Sequence, residues 1–469
     1  MRNWSEMISS GIRISDTLSP VAPATRFTAP GIVTDARVPQ GPADAFVHGT
    51  VAPPRITGAA TEAAAPVAKP LPVDGAAPAV AGSLAGGPAA AVASSAAPVL
   101  DVRPLDPKKV LRIECQIDGM RGAREHMSSL SPTERDAFMR LASKLYDPGV
   151  FLLRQGGTSS NLLTLLAAGR LQQTDSRGAT VLDNLTALSN QPFAKGFDSD
   201  YMRGQILGQT VSTLARPDDI AQGAHGTCTA TTLEYAYVKH YPAEYARLVG
   251  GLFEPAGEVA MRNGDVLQRA SNIQYDDGSG RSEVSRVFQS AIMDYANGPL
   301  TYYDNYKDVN RPLQAKDEQL QGTYKGLYPW EVKRALEALT PYRYDAPLFH
   351  NEEADRADFQ RRVAQAAPDQ PLPLSIRWCT PKPMEMGLHM LLLEKVDDQY
   401  VYLRNPQGRV DDGAKGPPEL DLPDRQEVGE KGGGHIRMSL DTFYDRLYSY
   451  FAPSDAKTPP TDTVGRVSP

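Results

Sequence analysis

The chain has 469 residues, a formal net charge of −7 and a pI near 5.6. That length has room for about two or three domains around a real core, and the acidic balance gives no support for nucleic-acid binding. Three cysteines, Cys115, Cys228 and Cys379, make no complete disulfide set, which fits a reducing compartment. No run approaches the roughly 18 apolar residues of a membrane span. The opening Met1-Arg2-Asn3-Trp4-Ser5-Glu6-Met7-Ile8 lacks the apolar core of a secretory signal. The chain therefore reads as soluble, either cytoplasmic or exported without a cleavable signal peptide.

Residues 1–105 are rich in Ala, Pro, Gly, Val, Thr and Ser, with few large side chains to build a core. They read as a disordered leader, either a tether or an export leader of the kind carried by injected bacterial effectors. Residues 106–218 read as a mainly helical region. Val110–Cys115 reads as a short strand or helix start, with Cys115 as a small buried hydrophobe. The clearest helix covers 131–146, where Ser131 caps, Pro132 takes the first helical position and Glu134 completes a capping box. Phe138, Leu141, Ala142 and Leu145 form its apolar stripe. Further helices are expected over 161–171, 180–188 and 201–214, closed by Arg216-Pro217-Asp218-Asp219.

Residues 219–452 carry the chemistry. Gln222-Gly223-Ala224-His225-Gly226-Thr227-Cys228 is a glycine-punctuated loop running straight into a helical stretch that begins Thr229-Ala230-Thr231. A cysteine at a helix N-terminus meets unpaired N–H groups and a partial positive charge, which favour its thiolate. Tyr241-Pro242 interrupts that helix and a second resumes at 243–249. Asn263-Gly264 turns a hairpin, 286–295 has helical spacing, 297–325 reads as a tyrosine- and charge-rich surface excursion, and 329–339 is a helix. A charged stretch follows at 352–362, then a buried strand at 371–378 that brings Cys379 into the core. His389–Val396 and Tyr400–Arg404 read as two strands joined at Asp397-Asp398, which sets His389 beside Asn405-Pro406-Gln407-Gly408. A polar loop over 411–434 leads to a last strand at 435–440, a closing helix at 441–451 and a disordered tail at 453–469.

In these motifs the chain resembles the papain-like cysteine proteases. A glutamine lies six residues before the cysteine, as Gln222 does before Cys228, and the order Gln, Cys, His, Asn is kept. The family's histidine opens a strand and its asparagine follows the next one, matched here by His389 and Asn405. The resemblance covers about residues 220–452. Gln407 replaces the tryptophan that usually shields the asparagine, Thr229 the aromatic residue after the cysteine, and Leu388 a polar residue before the histidine.

The resemblance implies an α+β papain-like fold, with a helical half carrying Cys228 and an antiparallel β half carrying His389 and Asn405. It implies a thiol peptidase with Cys228 as nucleophile, His389 as its acid–base partner, Asn405 fixing the imidazole, and Gln222 with the Cys228 N–H as oxyanion donors. The same acyl-enzyme formed on a glutamine side chain would give deamidation or transglutamination, and a degenerate scaffold would give a binding protein. No cofactor or metal is expected, since no Cys, His and acidic residues fall in paired ligand spacing. The expected partner is a protein or peptide substrate. His225 reads as an exposed loop histidine and a rival base, while His240 and His435 have no partner motif.

Overall fold

The computed structural model describes residues 104–146, 158–271, 273, 276–312, 325–377, 387–408, 426–427 and 434–454. The leader up to 103, Trp378, Cys379, most of the 411–434 loop and the tail from 455 lie outside the described residues.

The helices are α1 (Pro107–Gly119), α2 (Ala123–Ser129), α3 (Pro132–Leu145), α4 (Thr158–Ala167), α5 (Val181–Asn190), α6 (Asp200–Ala215), α7 (Cys228–His240), α8 (Pro242–Phe253), α9 (Glu283–Asn297), α10 (Pro329–Leu339), α11 (Glu353–Gln365) and α12 (Leu440–Arg446). Local chemistry starts several of them. Ser131 accepts from the Glu134 N–H at 3.2 Å and Glu134 accepts from the Ser131 N–H at 2.6 Å, the reciprocal box that opens α3. Thr180 and Asp183 make the same exchange at α5. The stripe Phe138, Leu141, Ala142 and Leu145 is buried throughout.

The strands are β1 (Glu258–Ala260), β2 (Val266–Gln268), β3 (Thr301–Asp304), β4 (Val309–Pro312), β5 (Tyr344–Asp345), β6 (Pro373–Arg377), β7 (Leu388–Val396), β8 (Tyr400–Arg404), β9 (Gln426–Glu427), β10 (His435–Ser439), β11 (Leu447–Tyr450) and β12 (Ala452–Pro453). β1–β2 and β3–β4 are hairpins, and β5 pairs with β12. The principal sheet has six antiparallel strands in the order β11-β6-β7-β8-β10-β9. The architecture is thus α+β with antiparallel sheets.

Two apolar cores meet at this sheet. The larger joins α1 to α10 and includes Met390 and Leu392 of β7. The smaller packs α11 and α12 on the other face, through Phe359, Phe443, Leu391, Leu393, Val401 and Leu403. Alternate side chains of a strand point to opposite faces, so β7 is buried from both sides. This accounts for its unbroken Met-Leu-Leu-Leu run. The helices from α1 to α6 share the larger core with α7 and α9 rather than enclosing one of their own. Among the described residues no helix is long and apolar enough to cross a membrane.

Several expectations are corrected. Residues 107–119 form one helix, and Cys115 lies on its exposed side rather than in the core. The charged stretch near 352–362 is helix α11, whose only buried residue is Phe359. The 301–312 part of the supposed surface excursion is a hairpin with Tyr303, Asn305 and Asn310 buried. The closing helix stops at Arg446, where Leu447–Tyr450 turns into a strand paired with β6.

Because the helices share one core, Leu185→Ala, at a fully buried position where α5 faces α8, is expected to cost about 2–5 kcal/mol. Urea unfolding followed by circular dichroism should show one cooperative transition shifted as a whole. A biphasic curve with only one phase shifted would mean that the first helices pack separately.

Candidate active site

Helix α7 starts at Cys228, with Thr227 at the N-cap. Thr227 does not cap with its hydroxyl but donates it to Gln289 Oε1 at 3.0 Å. The positive end of the helix is therefore not neutralised by its own cap residue and faces the cysteine. From that start, positions 228, 232, 235 and 239 fall on one helical stripe, and this stripe lies along β7. Thr232 donates to the Met390 carbonyl at 3.3 Å, and Tyr235 and Lys239 reach Glu394 at 3.1 and 3.0 Å. Cys228, at the head of the stripe, meets His389 at the head of β7.

Cys228 is half-buried, which pushes its thiol pKa up. The hydrogen bond and charge of His389, with smaller help from the Met390 backbone and the Thr229 side chain, outweigh burial and bring it below the ordinary thiol value. His389 is itself buried, and its Nε2 lies 2.9 Å from Asn405 Oδ1. That oxygen also accepts the Gln407 N–H at 3.0 Å, which fixes the orientation of the Asn405 amide. The His389 Nε2 must then be the N–H donor, which leaves Nδ1 to exchange a proton with the thiol. Asn405 is fully buried, and its Nδ2 has no hydrogen-bond partner among the described residues.

The turn after β8 is docked on the cysteine loop. The Gln222 N–H donates to the Pro406 carbonyl at 2.8 Å. Gly408 has φ +72°, and a Cβ there would meet the Ala221 Cβ at 2.9 Å. Gln222 is buried. Its Nε2 donates to the His225 carbonyl at 3.0 Å, and its Oε1 is buried without a partner among the described residues. An amide NH2 carries two hydrogens, so one remains for an oxyanion.

Behind the loop lies a polar network that the motifs do not announce. The Arg281 guanidinium is wholly buried. It donates to Asp277 at 2.6 Å, Asn305 at 2.8 Å, Ser279 at 3.0 Å and Gln289 at 3.1 Å. Asn305 in turn gives its carbonyl to His225 Nε2 at 2.9 Å, and Asp308 takes the Gly226 N–H at 2.8 Å and the Tyr303 hydroxyl at 2.8 Å. Glu234, fully buried on α7, accepts from Gln289, Tyr245 and Ser285 at 2.8, 2.8 and 3.0 Å. Burial raises its pKa, against the pull of these donors. This network was not read from the sequence, although two features there could have drawn attention to part of it: a lone carboxylate inside the otherwise uncharged 229–238 helix, and the turn-forming Asp276-Asp277-Gly278-Ser279-Gly280 run before an arginine.

The structure thus brings Cys228, His389 and Asn405 into one chain of contacts, with Gln222 in the adjoining loop. His225 is buried, not exposed, and its pKa is lowered by burial and by Arg281. It serves as a strut between the loop and the β3–β4 hairpin, which removes the motive for reading it as a base. His435 has partners after all, in Glu394 and Asp218. A scan of the chain against protein-family models finds no match, and a search of the curated proteins finds none either.

Gly223 tests the loop scaffold. Its φ is +61°, and a Cβ there would lie 1.9 Å from the Ser279 carbonyl oxygen. Gly223→Ala is expected to cost about 1–3 kcal/mol for the backbone conformation alone, and more for the clash. A melting temperature equal to that of wild type would show that the loop is not held against residues 277–281.

Proposed function

We propose that the chain is a papain-like thiol hydrolase that cleaves a peptide bond in a protein or peptide substrate. The observation that carries this reading is the contact chain from Cys228 through His389 to Asn405, with the thiol pKa drawn down by the imidazole. The Cys228 thiolate attacks the substrate carbonyl carbon, and the carbonyl electrons move to oxygen. The Cys228 N–H at the start of α7 and the second Gln222 amide hydrogen receive that oxyanion. The His389 imidazolium gives its proton to the leaving amine as the C–N bond breaks, leaving a thioester on Cys228. His389, now neutral, takes a proton from water, which attacks the thioester and releases the acid and the thiolate. Asn405 holds the imidazole in one orientation through both steps. The Ala- and Pro-rich composition of residues 1–105 supports reading the protein as an exported effector acting on host proteins.

The test is alkylation by iodoacetamide with peptide mapping from about pH 5 to 8, which spans an ordinary histidine titration. Exposed Cys115 is the internal reference thiol. Because the Cys228 pKa lies below the ordinary value, its labelling should persist as pH falls below the unperturbed thiol pKa of about 8.5 and should be faster there than that of Cys115. His389→Ala should abolish that difference, and it should lower turnover of a protein substrate about 10²–10⁴-fold. Cys228→Ala should remove activity, and Asn405→Ala should reduce it. A substrate mass gain of about one dalton without chain cleavage would move the acyl transfer to a glutamine side chain. Cys228 labelling no faster than that of Cys115, and indifferent to His389, would overturn the hydrolase reading.

A further inference from the structure

His435 heads β10 beside Arg404 of β8. Its Nδ1 lies 2.6 Å from Glu394 Oε2 and its Nε2 3.1 Å from Asp218 Oδ1. Both ring nitrogens therefore face carboxylate oxygens, which only accept. A neutral imidazole has one N–H and would leave one of these contacts without a hydrogen, whereas the imidazolium donates to both.

The two carboxylates belong to opposite sides of the site. Asp218 lies in the turn that leads into the cysteine loop, and its own carbonyl and that of Ile220 accept from Arg404 Nη2 at 2.9 Å each. Glu394 lies on β7, the strand opened by His389, and holds Tyr235 and Lys239 of the cysteine helix. Arg404 lies over the Tyr235 ring at 4.9 Å and donates to the Asn405 carbonyl through Nη1. One imidazolium thus joins the approach to the cysteine loop, α7, and the three strands that carry or adjoin His389 and Asn405.

We propose that protonated His435 is a clamp that holds the cysteine loop and cysteine helix against the histidine- and asparagine-bearing sheet. Its role as a positioning residue for Cys228 and His389 rests on the hydrolase reading, whereas the clamp itself does not.

The groups around the ring set the direction of its pH dependence. Hydrogen bonds to Asp218 and Glu394 raise the His435 pKa from 6.5 to about 9. Burial pushes Glu394 up, but His435 and Lys239 outweigh it and bring Glu394 to about 2, while His435 also lowers Asp218. Both carboxylates stay ionised across the range in which His435 titrates. Tyr235 is pushed up, first by burial and then by Glu394, and stays neutral there. Because the folded-state pKa lies above the unfolded one, the clamp's stabilisation is complete below about pH 6.5 and is lost as pH rises through about 9.

The experiment compares the full-length wild type with H435Q and E394Q. Between about pH 7 and 9.5 the melting temperature of wild type should fall more steeply than that of H435Q. At about pH 7, Cys228 alkylation should be about tenfold slower in H435Q than in wild type, the kind of loss a small misplacement produces. That ratio should shrink toward one by about pH 9.5, as wild type loses its own clamp proton. E394Q removes one of the two carboxylates, so its steep fall should begin at lower pH than that of wild type. This variant decides the question if H435Q does not fold. Parallel melting profiles in all three proteins would overturn the clamp. Divergent melting profiles with equal Cys228 labelling rates would keep the clamp and overturn its positioning role. Failure of the hydrolase reading shows elsewhere, as wild-type labelling of Cys228 in His389→Ala, and leaves the melting comparison to decide the clamp.

Discussion

The loop that presents Cys228 takes its path from a buried charge. Arg281 is removed from solvent with its guanidinium bonded to Asp277, Ser279, Gln289 and Asn305. A buried charge left unpaired is costly, so such a group dictates the positions of its neighbours. Ser279 then takes the Ala224 N–H, Asn305 fixes His225, and Gln289 fixes Thr227. Three of the residues between Gln222 and Cys228 are thus held by a network centred outside the loop. An apolar cluster would resist compression equally well but would not fix orientation, because dispersion contacts have no preferred direction.

The second constraint is the seam between α7 and the principal sheet. Each contributes one side of the site: Cys228 at the start of α7, and His389 and Asn405 at the ends of β7 and β8. Nothing in the covalent chain fixes their relative height, since 160 residues separate Cys228 from His389 (389 − 228 − 1 = 160). The seam is instead laced by polar contacts of definite length: Thr232 to Met390, Tyr235 and Lys239 to Glu394, His435 to Asp218, and Gln222 to Pro406. The first three run along α7 from Thr232 to Lys239, and the other two tie residues ahead of the helix to β10 and to the turn after β8. A slip of α7 by one residue along β7 would break the first three together, which ties the Cys228–His389 contact to the register of that interface.

What was legible in the sequence follows from the range of the signal. The capping box at Ser131, the Asn263-Gly264 turn and the two strands that flank Asp397-Asp398 depend on neighbours a few residues away, and the structure has all of them. The contacts among Cys228, His389 and Asn405 were foreshadowed because two are brought close by a hairpin and the third opens a helix. The supporting network was not, because Arg281, Asn305 and Asp308 act across 50 or more residues, seen in the Arg281–Thr227 separation of 54 and the Asp308–Gly226 separation of 82. Polarity misled in the same region: the β3–β4 segment looks like surface because the side chains it buries are Tyr303, Asn305 and Asn310. At the C-terminus, Leu447, Tyr450 and Phe451 fit a helical period as well as a strand, and pairing with β6 decides for the strand.

Helix α7 shows how these constraints combine. Positions 234 and 235 point about 100° apart on a helix, and they engage different partners: Glu234 bonds to α8 and α9, and Tyr235 to the sheet. Lys239, one turn beyond Tyr235, repeats the contact with the sheet. Thr227 at the head of the helix is tied to Gln289 of α9, the same residue that bonds Glu234. The helix is therefore fixed against rotation by two faces and against sliding by contacts at its first and last turns. Cys228 sits at the head of a helix held by these restraints, so moving its backbone relative to β7 would break hydrogen bonds elsewhere on α7.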